Sequence, residues 1–339
     1  MAEEFPRYNS QEILDARGPK NRVDPQRPYA CLVEQERAAD GRIRNVGTVF
    51  LTNRECPFRC LMCDLWKNTT DVSITADQLE SQIDFAVEKL GTLLQPGEKI
   101  HHLKLYNSGN FFDRQAIPGE SFERLTRFVN DPPGDIFQLE NLVIENHPRL
   151  VGAECIDFAR SIAPRLEVAM GLETIHPAIL QRLNKRMTLD DFRSATRTLR
   201  ENSIAVRAFI LLKPPFLDEP QGIHWALKSL EWAFQIGVQC CAVIPTRRGN
   251  GAIDQLGEEG WFSEPQLRSL EQVMDLGLRH SEPGGRLFVD LWDVDRFEAC
   301  DHCRRDRVQR MERMNRMQAH VPHISCEKCT DNDPRSEHV

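Results

Sequence analysis

Apolar and polar positions along the chain switch repeatedly between two periods. Short, β-branched apolar runs at 45–51, 102–106, 142–145, 166–171, 205–212, 239–244 and 286–291 read as strands. Between them, apolar residues recur at three- and four-residue spacing over 75–91, 121–129, 153–162, 177–183, 189–202, 221–236 and 264–278, which predicts helices. Thr75 followed by Gln78 reads as a capping box, and Gly91 as the stop of that helix. Strands alternating with helices predict parallel βαβ units. The expected fold is α/β, a partial (β/α)6 barrel over residues 46–292. An irregular extension over 1–45, broken by Gly18-Pro19, Asp24-Pro25 and Arg27-Pro28, precedes it, and a small module over 293–339 follows. In such folds ligands gather at the C-terminal ends of the strands. The candidate site loops are therefore the one after the first strand, then Asn107-Ser108-Gly109, Glu145-Asn146-His147, Glu173-Thr174, Lys213-Pro214-Pro215 and 246–251.

Composition narrows the class. A 40% apolar, 28% charged chain of 339 residues is that of a globular protein, and no apolar run approaches the roughly 18 residues of a bilayer span. The opening MAEEFPRYNS is acidic without an apolar core, so a secretory signal is not expected and a cytoplasmic location is. With 43 Lys and Arg against 51 Asp and Glu, the net charge of −8 gives no general pull toward nucleic acid. The eleven cysteines say more: seven fall into two tight groups, Cys56, Cys60, Cys63 and Cys300, Cys303, Cys326, Cys329. In a cytosolic chain such spacing points to metal binding or catalysis rather than disulfides. Cys31, Cys155, Cys240 and Cys241 are scattered and read as structural.

CPFRCLMC sets Cys56, Cys60 and Cys63 in a C-x3-C-x2-C spacing straight after the first strand. Four thiolates normally saturate a four-iron cluster, so three leave one iron open for a ligand. A structural zinc site would want a fourth ligand nearby, and Asp64 is a poor choice for one. The spacing resembles the signature of the radical SAM superfamily. The resemblance implies a 4Fe-4S cluster whose open iron binds S-adenosylmethionine. It further implies an electron, from a donor such as flavodoxin or ferredoxin, that splits the sulfonium to give a 5′-deoxyadenosyl radical. Met62 stands where that family usually carries an aromatic residue, which bears on subgroup rather than chemistry.

Other strand ends extend the resemblance. YNSGNFFD (106–113) matches the family's glycine-rich segment, which implies that Asn107, Ser108 and Gly109 receive the amino group of S-adenosylmethionine. GLETIHPAILQRLNKR resembles the branch holding the catalytic subunit of Elongator and the methylthiotransferases. It implies that Glu173 contacts the ribose or amino end and that Lys185 or Arg186 pairs with the carboxylate. Singly, Glu173 also reads as a surface carboxylate, and Lys185 and Arg186 as basic residues meeting a helix dipole. Together with RAFILLKPPFLDE (207–219), these strings are similar to the archaeosine synthase radical SAM group, whose members act on tRNA. TRRGNGAIDQL (246–256) departs from that group at the loop expected to read substrate. His147 reads as a satisfied polar residue rather than a ligand.

Cys300, Cys303, Cys326 and Cys329 form two C-x2-C knuckles, a closed set of four thiolates for zinc or an auxiliary iron–sulfur cluster, with zinc favoured. His302, His320 and His323 lie close enough in sequence to substitute as ligands. Between the knuckles, Arg307, Arg310, Arg313 and Arg316 share one threefold spacing and Met311, Met314 and Met317 another. The favoured reading packs the methionines on the barrel and exposes the arginines; the other makes the arginines a phosphate contact for tRNA. The expectation is a radical SAM enzyme whose substrate the sequence does not fix, with tRNA base modification set beside small-molecule tailoring. A non-catalytic zinc scaffold is the rival from another class.

Overall fold

The computed structural model describes residues 5–280 and 284–332; residues 333–339 of the expected C-terminal module lie outside the described residues. Eight strands form one sheet in sequence order: β1 (Ala30–Arg37), β2 (Ile43–Phe50), β3 (Ile100–Tyr106), β4 (Phe137–Glu145), β5 (Arg165–Glu173), β6 (Ala205–Leu212), β7 (Cys240–Pro245) and β8 (Arg286–Val289). Every pairing from β2 to β8 is parallel, as the alternation predicts. The helices are α1 (Ser10–Asp15), α2 (Ala76–Leu93), α3 (Ser121–Asn130), α4 (Ala153–Ser161), α5 (Pro177–Arg182), α6 (Leu189–Glu201), α7 (Glu219–Gln235), α8 (Ala252–Glu258), α9 (Leu267–His280) and α10 (Arg304–Met317). The Thr75–Gln78 capping box opens α2. No helix among the described residues is long and apolar enough to cross a membrane.

The extension over 1–45 is not irregular throughout. It supplies β1, which runs antiparallel to β2. The alternation in ACLVEQER explains why: Cys31 and Val33 pack against the main core, whereas Glu34 and Glu36 turn toward Lys104 of β3. Its polar partners lie far away in sequence, so the segment has no local apolar signal.

The two sides of the sheet carry different chemistry. One set of strand residues, including Val49, Leu103, Leu105, Leu142, Ile144 and Val168, packs with Leu79, Leu90, Phe158, Phe192 and Leu199 of the helices. The opposite set fills the barrel interior, and at its base that set is charged. Arg207 donates to Glu167 at 2.6 Å and to Glu36 at 3.0 Å, Arg286 donates to Glu167 at 2.9 Å, and Lys104 pairs with Glu34 at 2.7 Å and with Glu36. Burial alone would raise the Glu167 carboxyl; Arg207 and Arg286 instead hold it at about 2. Above the charges lies an aromatic layer, with Phe50 and Tyr106 at 5.8 Å and Tyr106 and Phe209 at 6.2 Å between centroids.

The sheet does not pair β8 with β1, and α10 fills that gap. Asn315 exchanges two hydrogen bonds with the backbone of Val289, each 2.9 Å, and Gln318 exchanges two with Leu287, each 2.7 Å. Two carboxamides thus satisfy the edge of β8 as a neighbouring strand would. Arg37 of β1 donates to the carbonyl of Met317 at 3.1 Å from the other side. Met311 and Met314 are buried, as their spacing predicts, but Met317 is exposed. The arginine expectation is corrected: Arg307 and Arg310 are buried, because Glu271 and Asp275 of α9 face them.

Glu36→Ala should leave Lys104 and Arg207 without their shared carboxylate and destabilise the fold by about 3–5 kcal/mol in urea unfolding. Because the folded Glu167 carboxyl lies below its ordinary 4.5, its contribution should be complete above that pH. It should be lost as the pH falls toward about 2, which an acid titration of stability will follow.

Candidate functional site

The loop after β2 is gripped from outside. Leu61 is fully buried in a second, smaller core with Ile13 of α1, Ile179 of α5, Leu183, and Ile253 and Leu256 of α8. Its N–H donates to the carbonyl of Leu183 at 2.9 Å. Asn250 donates to the carbonyls of Leu61 at 2.7 Å and Cys63 at 3.3 Å, and Asn184 donates to that of Arg59 at 2.6 Å. Cys56, Cys60 and Cys63 are half-buried with no disulfide. Burial pushes the Cys56 and Cys60 thiols up to about 11 and that of Cys63 to about 12. Without a metal to take the thiolates, such thiols stay protonated at neutral pH and are poor nucleophiles.

Against this loop stands the segment after β3. A Cβ on Gly109 would lie 2.9 Å from the Cβ of Cys56 and 3.2 Å from its sulfur, so only glycine permits this approach. Ser108 before it has φ of 56°. The N–H of Asn107 donates to Glu145 at 2.9 Å, at the end of β4. Burial pushes the Glu145 carboxyl up to about 7, against the backbone N–H groups of Asn107, Gly109 and Ser108, which favour the charged form. His147 is satisfied, as expected: Nε2 lies 3.1 Å from the carbonyl of Lys185, and the ring stacks on Phe58 of the cysteine loop at 3.9 Å.

At the end of β5 the register shifts between Gly171 and Glu173, and Glu173 takes φ of 65°. Its carboxylate accepts from Lys185 at 2.5 Å, both side chains being buried. Burial works against the Lys185 ammonium, but Glu173 and the loop thiols Cys60 and Cys63 outweigh it and raise its pKa. Lys185 therefore stands beside the cysteine loop with its charge kept. Arg186 does not: it is exposed and donates to Ser10 Oγ at 2.7 Å. Lys213 is also occupied, bonded to Glu219 at 2.5 Å and Ser263 at 2.8 Å.

The ends of β2, β3 and β4 hold buried polar atoms with no partner in the protein: Thr52 Oγ1, Asn53 Oδ1, Asn107 Oδ1, Ser108 Oγ, Asn110 Oδ1 and both amide atoms of Asn146. Buried polar groups are ordinarily paired, so this concentration at one end of the barrel fits a polar ligand. Thiolates beside it fit a metal cluster. Sequence reasoning reached the loops but not Glu145, Asn146 or Asn250 as individuals, since their roles depend on contacts across the barrel end.

The second cysteine group forms a site of its own. The sulfurs of Cys300, Cys303, Cys326 and Cys329 lie within 4.8 Å of one another, Cys303 and Cys329 at 3.7 Å. Thiolates about 2.3 Å from one tetrahedral zinc stand about 3.8 Å apart. Burial raises the Cys303 thiol, and Arg307, which donates to its sulfur at 3.1 Å, offsets part of that rise. His302, His320 and His323 are not part of this set.

No protein-family profile matches the chain. An uncharacterized protein of Methanocaldococcus jannaschii is 22% identical over 282 residues, 80% of this chain and 74% of that one. Archaeosine synthase subunit beta of Methanosarcina acetivorans is 25% identical over 224 residues, 63% of this chain and 60% of its own length. The same subunit of Thermococcus kodakarensis is 28% identical over 235 residues, 68% and 69%. Among solved structures, methylornithine synthase superposes with a TM-score of 0.51 at 13% identity, covering 96% of this chain and 86% of that one. A radical SAM methyltransferase from Sphaerobacter thermophilus gives 0.51 at 16%, covering 77% and 73%. The fold is the radical SAM fold, with the three-cysteine loop at its first parallel strand. The chain shares its fold with these two enzymes and is similar in sequence to archaeosine synthase subunit beta, the group its motifs resemble.

Gly109→Ala should push Cys56 out of place and lower the iron bound per chain after anaerobic reconstitution, with little change in far-ultraviolet circular dichroism. Glu145 has a folded pKa above its ordinary 4.5, so stability should fall as pH rises from about 4.5 through about 7. Glu145→Gln should flatten that limb in pH-dependent urea titrations.

Proposed function

We propose that the chain is an enzyme that cleaves S-adenosylmethionine reductively, with Cys56, Cys60 and Cys63 as ligands of a 4Fe-4S cluster. The observation that carries this reading is the concentration of unpartnered buried polar atoms beside three desolvated thiols at one barrel end. When bound, the cluster supplies one electron to the sulfonium and an open iron for the amino and carboxylate groups of the methionine moiety. The residues present suit those groups. Asn107 Oδ1 and Ser108 Oγ are free to accept from the N–H groups of the amine, and the Gly109 backbone is open to close approach. Lys185 offers the carboxylate its charge, while Glu173, which orients Lys185, has a second oxygen for a ribose hydroxyl. Tyr106 and Phe209 close the floor below and keep bulk water from the barrel interior. A flavodoxin- or ferredoxin-like donor is the reductant this chemistry requires.

For the substrate, a tRNA base is supported by the sequence similarity to archaeosine synthase subunit beta, together with the motifs shared with that group. The burial of Arg307 and Arg310 favours the second reading, a small molecule, because it removes half of the arginine stripe from solvent. The C-terminal four cysteines are proposed to hold one structural zinc, supported by the 3.7 Å sulfur separation.

The Cys56/Cys60/Cys63→Ala triple variant should form no 5′-deoxyadenosine under strong reductant; product at the wild-type rate would end the reading. Lys185→Ala should weaken S-adenosylmethionine binding by about 1.5–3 kcal/mol in anaerobic calorimetry while the cluster absorbance persists. In Cys326→Ala the zinc content should drop by about one per chain while the iron content holds. Copurifying tRNA, with binding that falls steeply with salt, separates the two substrate readings.

A further inference from the structure

Outside the barrel, α9 turns Glu271 and Asp275, one helical turn apart, toward α10, and both are buried. Arg310 of α10, with its side chain 1% exposed, is fixed from two directions. Its Nη1 donates to Glu271 at 2.9 Å and to Asp275 Oδ2 at 3.1 Å, and its Nη2 donates to Asp275 Oδ1 at 2.5 Å. Its Nε donates to the carbonyls of Val321 and Pro322, each at 2.9 Å. One guanidinium therefore locks the carboxylate and the following chain segment into a single arrangement. The residues on either side of Val321 and Pro322 are His320 and His323, and this lock holds both imidazoles over Asp275. His320 Nε2 lies 3.6 Å from Asp275 Oδ1, and His323 Nδ1 lies 3.3 Å from Oδ2. The three donors lie within 4.8 Å of one another.

The two imidazole-to-carboxylate separations, each to a different oxygen of Asp275, are close to those of ligands sharing one ion. Nitrogen and oxygen ligands about 2.0–2.2 Å from a tetrahedral zinc stand about 3.3–3.6 Å apart. A carboxylate offers about four lone-pair positions, and Arg310 occupies two of those on Asp275, leaving others for a metal. An arginine that orients a ligating carboxylate is an ordinary outer partner of a metal site. The charges of Glu271 and Asp275 are already balanced by Arg307 and Arg310, so the ion-pair quartet does not need the histidines. The imidazoles are 39% and 37% exposed, so the site opens to solvent on one side and leaves room for water as a further ligand. We propose that Asp275, His320 and His323 form a second metal site for zinc or a similar first-row divalent cation, separate from both cysteine groups. Two imidazoles and one carboxylate suit such borderline ions, with nitrogen and oxygen ligands that distinguish this site from the four thiolates. The ion fastens the segment after α10 to α9.

The test is a zinc count on the full-length, anaerobically purified chain after dialysis against micromolar zinc. Wild type is compared with His320→Ala/His323→Ala and with Cys326→Ala. The histidines are partly exposed, so the double variant should keep its thermal midpoint in chelator. Wild type should bind about one zinc more than the double-histidine variant, and the same difference should reappear between Cys326→Ala and the Cys326→Ala/His320→Ala/His323→Ala chain. X-ray absorption of the zinc held by Cys326→Ala should report nitrogen and oxygen neighbours. Equal zinc in wild type and the double-histidine variant overturns the proposal, as does a sulfur-only shell on the ion those histidines control.

Discussion

Everything in this molecule rests on keeping an eight-stranded sheet curved without closing it by strand pairing. An open sheet has two edges, and each bare edge is a row of unpaired N–H and C=O groups. The chain deals with the β8 edge through side chains, with Asn315 and Gln318 standing in for a strand. It deals with curvature through charge. Glu36 on the antiparallel edge strand reaches Arg207 of β6, a strand it does not adjoin, so the contact crosses the barrel rather than running along it. Arg207, Glu167 and Arg286 carry the same link on to β8. Such a buried network is costly to desolvate, and it is weak as a source of net stability. Its value here is geometric, since an apolar filling of the same volume has no preferred partner across the barrel.

That constraint also orders the interior along its axis. Ions occupy the base, aromatic rings the middle, and at the mouth lie polar atoms without partners. A base sealed by ions and rings leaves the C-terminal strand ends as the place where a ligand can enter. The N-terminal extension strengthens this asymmetry, because Ile13 packs on Leu61 of the cysteine loop while β1, from the same extension, supplies Glu36 to the base. One segment of chain thus ties the two ends of the barrel together.

How much of this was legible in the sequence depended on whether a feature is local. The parallel strands were, because each buries one face on helices and so carries an apolar run. The three-cysteine loop was, because its spacing is contained in eight residues. β1 was not: ACLVEQER looks polar until Lys104 and Arg207 are brought to it. Lys104, Glu167, Arg207 and Arg286 carry no local signal of burial either, yet they are the barrel filling. Glu145 and Asn250 were placed only as loop members, because what makes them part of the site is a backbone partner on another loop.

The arginine helix carries this lesson into function. Threefold spacing suggested one cationic face, yet α10 is covered on that side by the carboxylates of α9, and Arg307 and Arg310 are spent on Glu271, Asp275 and Cys303. A periodic charge pattern defines a face but not what meets it. Here the meeting surface is acidic, so the arginines hold the C-terminal cysteine set and the segment after α10 against the barrel wall. Any recognition of a polyanion by this helix would fall to Arg313 and Arg316, which face solvent. At the strand ends the loop after β7 plays the matching part, with Asn250 holding the cysteine loop through the carbonyls of Leu61 and Cys63, so the mouth and α10 are fixed by separate sets of contacts.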